Sequence, residues 1–439
     1  MNRKQSFILT TLLITIFSTI FFTKTFCTDL QTFYRTPLFT GEAKKNISDW
    51  ATHIDARYAE GDANQSWNTQ EVKTDLFNGY GPIDMTKLAI NLENLNSKPK
   101  TNAYAKGEIP KIYDGKVKFK GRFQIKEFDI TLQQNIFHGL YLQAYLPIRN
   151  LKIDKIDYTT CTTTNSEHTK IADFIEKELD YILEENCIKP LKTEFKDTQL
   201  SDPMISIGWN NHCTIENSIV TSIRGFLQGG IIIPSGDREK IDQVFSLPFG
   251  YNKHWGINGR GNIHAILWDK IGIGVNAGTT IFMEQTYDQR LTTTPCQNGH
   301  WLLLEKGRAT ADQGTLWDIT AYAKAEDFFG GLSVLAAYSY TQQEKTKLTL
   351  KDNCILKSAI KDELIKNKNE VINSNKKLDE WYHHAVHLYA QYDFAAHTKS
   401  TSLGGIKIQV AYHFPLLGKH SWPVEMFSGT ASANFTWNF

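Results

Sequence analysis

Beyond residue 27 the chain has no apolar run near eighteen residues, which excludes membrane-spanning helices from the body of the protein. It also has no charge excess. Its 48 Lys and Arg against 47 Asp and Glu leave a formal charge of +1, so nothing in the balance points to nucleic acid. No G-x-S-x-G, H-E-x-x-H or phosphate-loop pattern occurs, and no catalytic residue is assigned. The nearest polar constellation, Asn210-Asn211-His212, lacks a nearby serine nucleophile. No two cysteines stand at C-x-x-C spacing, so neither a metal site nor a cofactor is expected. Linkers, low-complexity boundaries and internal repeats are absent as well, which favours one large closed unit over two or three domains.

What is present begins at the N-terminus. Arg3 and Lys4 precede an apolar stretch over 7–22, and Thr25-Phe26-Cys27 offers a small-x-small exit before Thr28. A charged start, a short apolar core and a small-residue exit are the parts of a secretory signal peptide over 1–27. Its removal takes away Arg3, Lys4 and Lys24 and moves the formal charge from +1 to −2. Residues 28–45 are expected to form a periplasmic segment, and 46–439 the body of the protein.

Mean hydropathy is only −0.36, yet 12% of the residues are aromatic. Alternating lipid-facing and lumen-facing positions, diluted by polar loops, give a membrane barrel this soluble-looking average, and aromatic girdles raise the aromatic share. Period-two alternation recurs along the chain. It is seen at 50–58, 118–134, 140–149, 204–210 (the weakest), 219–234, 255–268, 271–283, 315–324, 328–342, 382–394, 403–414 and 424–439. In 118–134 the apolar phase is odd through Phe123 and Ile125 and even from Phe128, which suggests a bulge at Lys126–Glu127. Connections alternate long and short without exception. Long ones cover 59–116, 150–203, 235–254, 284–314, 341–381 and 415–423; a short turn at Ala325-Glu326-Asp327 is among the others. The expected fold is all-β: a transmembrane antiparallel β-barrel of about 12 strands, with short periplasmic turns and long extracellular loops.

One segment carries a resemblance. Over 427–439 the odd positions are apolar or small and end on Phe435, Trp437 and Phe439, while the even positions are small and polar. This resembles the C-terminal targeting strand of bacterial outer-membrane β-barrels. The resemblance implies residence in the outer membrane of a Gram-negative-type bacterium, contact with its lipid, and assembly by the general barrel-insertion machinery.

Strand phase also nominates the inner wall. It would receive His53, Asp55, Arg57, Arg224, Arg260, His264, Asp318, His383, His387, Asp393, Lys407 and His413. Cations exceed anions in that set, which would modestly favour anionic solutes; alternatively, such charges pair across the wall and plug it. His383, His384 and His387 are not read as a metal site, because His384 has the outward phase. Lys116, Lys118, Lys120 and Arg122 would form a basic rim toward lipid or a solvated extension. A helix near 170–185, with Ile171, Phe174, Ile175, Leu179, Ile182 and Leu183 on one face, would be a lid in the mouth or a cap over the rim. A helix-prone stretch over 351–378 reads as a solvated excursion. Cys161 and Cys187 bracket the first helix, and a disulfide between them would staple it; Cys296 and Cys354 are a second pairing, and Cys213 is left over in a periplasmic turn. The functional expectation is a passive channel or small-solute transporter, with a closed barrel presenting loops for adhesion, recognition or membrane structure as the alternative.

Overall fold

The computed structural model describes residues 31–38, 50–85, 88, 115–161, 171–216, 218–292, 300–351, 368–394 and 405–436. Twelve long strands form the wall. They are β1 Ala51–Ala63, β2 Lys116–Asn135, β3 Leu140–Cys161, β4 Met204–Thr214, β5 Val220–Ile232, β6 Gly256–Leu267, β7 Ile271–Phe282, β8 Leu316–Phe329, β9 Leu332–Gln343, β10 Trp381–Asp393, β11 Ile406–Lys419 and β12 Glu425–Thr436. Each pairs antiparallel with the next, and β12 pairs with β1 from Ala51↔Thr436 to Asp62↔Glu425, which closes the ring. Closure leaves no unpaired edge, the condition a sheet must meet to cross a bilayer.

Period-two alternation places grease outside. Ile54, Phe128, Ile130, Leu132, Ile205, Ile207, Ile257, Ile273, Ile319, Leu388, Ile408 and Phe427 are all exposed on the outer face. In water such a belt would be far larger than any patch a soluble monomer tolerates; in hydrocarbon it is the matching surface. Trp50, Phe137, Trp209, Trp268, Phe328 and Phe329 are exposed around the short-turn end, where aromatic rings suit the headgroup region. The wall is therefore transmembrane.

Sequence and structure differ at several points. The strand expected over 204–210 is present and runs longer, Met204–Thr214, hydrogen-bonded to β3 and β5. No phase slip occurs at Lys126–Glu127. Odd residues of β2 point inward throughout, and the one register shift lies between Lys120 and Arg122. The apolar residues change phase because the interior changes character, as described below. The tight turn after β8 is Gly330-Gly331, with φ of 54° and 101°, a backbone glycine adopts without steric cost. Glu326, expected in a turn, lies within β8. Pro415 is inside β11, facing Ala385 where the register shifts, a position that tolerates a missing donor.

The long-loop end is capped by an apolar core. Val117, Phe119, Phe123, Leu151 and Ile153 of the upper inner wall pack with Phe77, Phe245, Phe249, Trp301 and Trp422 from the loops. The loop helix, Ile175–Leu179 continued by Asp180–Glu185, buries Ile171, Phe174, Leu179 and Leu183 in the same core, so it is a cap component. A three-stranded sheet of Gln285–Arg290, Lys306–Asp312 and Lys347–Leu350 stands beside it. Within 351–378, Lys368–Ile372 and Lys376–Leu378 are short helical turns; Val371 and Ile372 are buried, so that part packs down. Cys161, Cys187 and Cys213 are free, exposed thiols, and the expected Cys161–Cys187 staple is absent: the helix is held by its buried face instead. Cys296 and Cys354 lie outside the described residues, as do Trp437 and Phe439; Phe435 faces outward.

Candidate functional site: the lumen and its N-terminal occupant

All twelve nominated positions fall on the inward phase of their strands. His53, Arg57, Arg224, Arg260, His264, Asp318, His383, His387 and His413 are buried, whereas Asp55, Asp393 and Lys407 are half-buried. Their neighbours include acids that phase-reading missed. Arg57 donates to Asp129 at 2.8 Å, and Arg149 donates to Glu127 at 2.7 Å. Arg224 pairs with Glu326 at 3.1 Å, and His264 approaches the same carboxylate at 3.6 Å. Lys407 pairs with Asp393 at 3.0 Å. The expected cationic surplus is thus met by Glu127, Asp129 and Glu326, and the charges pair across the wall. Burying an unpaired charge is costly, so a narrow lumen carries its ions as pairs.

Between the ion pairs runs a hydrogen-bonded lining. His387 and His413 are cross-strand partners with their Nδ1 atoms 2.9 Å apart; Ser339 lies 2.7 Å from His387 Nε2, and Ser428 lies 3.0 Å from His413 Nε2. Such a contact between two imidazoles needs a proton on one Nδ1 only. Tyr322, on β8, lies 3.0 Å from His264 Nδ1 and 3.1 Å from Asn262 Nδ2. It fits because Gly274 faces it: a Cβ there would stand 2.3 Å from the Tyr322 ring. Tyr141 lies against Gly208 in the same way and donates to Gln228 at 3.0 Å. His384 faces outward and pairs with Tyr338 at 2.5 Å, apart from His383 and His387. No group of three or more metal-ligating side chains occurs among the described residues.

Two members of the basic run are paired off. Lys120 meets Asp157 at 3.0 Å, and Arg122 donates to Asp154 at 2.8 Å. Both acids sit opposite on β3, so cross-strand pairing accounts for these two cations.

Sequence reading places residues 28–45 in the periplasm, but Gln31–Leu38 lies inside the upper barrel. Tyr34 and Thr36 are fully buried and Arg35 is 1% exposed. Arg35 donates to Glu127 at 2.5 Å, on the carboxylate that also holds Arg149. Tyr34 donates to the Pro248 carbonyl at 2.5 Å and packs edge-on against Phe123 at 5.7 Å. Thr36 bonds the Val424 carbonyl, and the Trp422 N–H donates to the Phe33 carbonyl at 2.8 Å. This occupant explains the change of phase in β2. Phe123 and Ile125 turn inward because an apolar plug and cap meet them there, while lower down Glu127, Asp129 and Gln133 face the polar lumen. The signal that would have found it is Phe33-Tyr34-Arg35: two aromatics and an arginine outside any alternating strand.

No protein-family model matches the chain, and no curated protein matches its sequence. Solved structures of similar shape do exist. An outer membrane channel from Pseudomonas putida F1 matches with 8% identity over 91% of this chain and 100% of that one, with a TM-score of 0.48. A Pseudomonas aeruginosa FadL homologue matches with 9% identity over 89% and 91%, TM-score 0.32. The β domain of the Bordetella autotransporter BrkA matches with 9% identity over 89% and 100%, TM-score 0.31. The fold assignment rests on the strand pairing given above.

Proposed function

We infer that this protein is an outer-membrane channel for small solutes, shut at its long-loop end by residues 31–38. The observation that carries the reading is the contrast between the two halves of the lumen. The lower wall is lined by polar groups paired and hydrogen-bonded to one another; the upper lumen is closed by a separate segment held by the Arg35–Glu127 ion pair and by hydrogen bonds of Phe33, Tyr34 and Thr36.

On this reading residues 1–27 are a cleaved signal peptide, the short turns face the periplasm, and the long loops face outward from a Gram-negative-type cell. The barrel-insertion machinery assembles the chain through 427–439; a charged residue at Phe439 would then lower outer-membrane levels, and unchanged levels would remove that partner. No enzymatic role is assigned.

Planar-bilayer recording tests the function directly. The mature chain should be nearly silent, and a variant lacking residues 28–38 should give discrete current steps, with heat-shifted gel migration proving that both barrels are folded. A folded plug-deleted barrel that stays silent would overturn the channel and leave the loop-presenting barrel as the reading.

A further inference from the structure

The basic run over 116–122 belongs to a larger asymmetry. Apart from Lys419, which pairs with Glu380 at 2.8 Å, every Lys and Arg of the twelve wall strands that does not face the lumen stands on β2 or β3. Lys196 extends the group sideways, on the short strand Phe195–Leu200 that pairs with β3. A chain with a formal charge of only +1 thus gathers its outward wall cations on one flank. The register shows what that flank borders. Tyr58, Phe128, Ile148 and Leu200 are ladder neighbours across four strands and are 41–43% exposed, an apolar row facing lipid. The next row toward the long loops is Glu60, Lys126, Asn150 and Thr198; beyond it stand Asp62, Gln124, Lys152 and Lys196.

The change from apolar to charged takes a single step along each strand, as the edge of a hydrocarbon layer demands. Within the charged band most cations have acids. Lys120 and Arg122 are paired as above, Lys152 meets Asp154 at 2.7 Å and Glu194 at 3.5 Å, and Lys116 has Asp84 as its cross-strand neighbour. Lys118, higher on β2, has no acid partner among the described residues but borders no apolar row. Two cations at the boundary differ from these. Lys126 reaches Glu60 only at 4.0 Å, with both side chains more than half exposed, a pair worth little in water. Lys196 has no acid partner among the described residues and stands directly opposite Lys152, where two like charges repel. Between them Asn150 donates to the Thr198 hydroxyl, which keeps its own proton for a ligand. From ladder spacings the Cα atoms of Lys126 and Lys196, two strands and two residues apart, are separated by about 12 Å, within the reach of two lysine side chains closing on one anion. Two ammonium groups and a hydroxyl donor above an apolar row match an acceptor-only anion attached to hydrocarbon, and a phosphate ester on acyl chains is both.

We propose that this flank of the barrel binds a phosphate-bearing lipid of the leaflet at the long-loop end. Its phosphate sits between Lys126 and Lys196, and its acyl chains lie along Phe128, Ile148 and Leu200. The proposal rests on the transmembrane wall alone and does not depend on whether the lumen conducts.

The experiment is photo-crosslinking of the refolded mature barrel, in neutral detergent, with a phosphatidic acid that carries a diazirine on one acyl chain. Labelled peptides are mapped by mass spectrometry, and heat-shifted migration checks that each variant is folded. Diazirine-bearing diacylglycerol is the uncharged comparator, and excess sodium phosphate is the soluble competitor. Labelling is expected to saturate and to concentrate on 118–134, 140–152 and 195–200. A basic residue at an anionic lipid surface is worth about a fivefold change in affinity. Lys126→Gln and Lys196→Gln should therefore each weaken labelling about fivefold, and the double variant about 25-fold. Lys419→Gln, on the far strand β11, should leave it unchanged. Labelling spread evenly around the barrel, equal labelling by diacylglycerol, or full labelling of the double variant would overturn the proposal. Complete competition by sodium phosphate would overturn it as well, because the flank would then recognise the free anion and not a lipid.

Discussion

Replacing Arg35 by alanine should unlatch the N-terminal segment while leaving the wall assembled. Arg35 and Glu127 have side chains with no solvent exposure and meet at 2.5 Å; removing one partner of a buried ion pair typically costs about 3–5 kcal/mol. Here the lower end applies, since Glu127 keeps Arg149 at 2.7 Å and is not stranded. A loss of about 3 kcal/mol, at 1.4 kcal/mol per tenfold, raises the displaced population of the plug by roughly two orders of magnitude. The assay is the open fraction in single-channel recordings, with wild type, the 28–38 deletion and Arg149→Ala measured beside it. Arg149→Ala removes a wall partner of the same carboxylate, so it should lower the midpoint of heat-shifted migration without opening the pore as Arg35→Ala does. The reasoning fails if Arg35→Ala stays as closed as wild type while the deletion conducts. In that case the burial of Tyr34 and Leu38 would hold the segment, and the ion pair would be incidental.

Three further outcomes are expected. His300 is held at about 4, below the ordinary 6.5, so unfolded chain takes up its proton first; cap stability is complete above pH 6.5 and falls by about 3 kcal/mol as pH drops toward 4. Limited proteolysis of the loops against pH should show that fall in wild type, and His300→Phe should flatten it; parallel curves would contradict the assignment. Gly274→Ala would put a Cβ 2.3 Å from the Tyr322 ring, which is held between Asn262 and His264, and should cost about 1–3 kcal/mol by overpacking. A heat-shift midpoint equal to wild type would show that the ring has room to move. Cys161 and Cys187 are exposed at the long-loop end and Cys213 at the short-turn end, so a membrane-impermeant maleimide applied to intact cells should modify the first two and spare the third; labelling of Cys213 would invert the proposed topology.

The wall was legible because a barrel strand must alternate between two solvents. Ile257, Ile263 and Leu267 outside and Asn258, Arg260, Asn262 and His264 inside could hardly be read otherwise, and the segregation of long and short connections fixed the hairpin order. Legibility ended where the two-solvent rule ended. Glu326 was lost because a three-residue polar sequence was taken for the turn that Gly330-Gly331 makes, and with it went the partner of Arg224 and His264. Cys161 and Cys187 flank a helix, but spacing along a chain says nothing of the distance between thiols in space. Apolar anchoring through Ile171, Phe174 and Leu183 makes a staple unnecessary.

The misread stretch in β2 carries the wider point about this lumen. Alternation reports which face meets grease, not which face meets lipid. In 118–134 those are different questions at the two ends: Phe128, Ile130 and Leu132 meet the bilayer, while Phe123 and Ile125, on the other face, meet Tyr34, Trp422 and the loop cap. An apparent phase reversal without a register shift therefore marks the height at which the inner wall changes from apolar to polar. Here it falls beside Glu127, the residue that grips Arg35, so the boundary between polar and apolar lumen and the anchor of the occupant coincide. Below it the pairs Arg57–Asp129 and Arg224–Glu326 belong to the wall alone, and above it the loops contribute Phe77, Phe245, Phe249, Trp301 and Trp422 to the core.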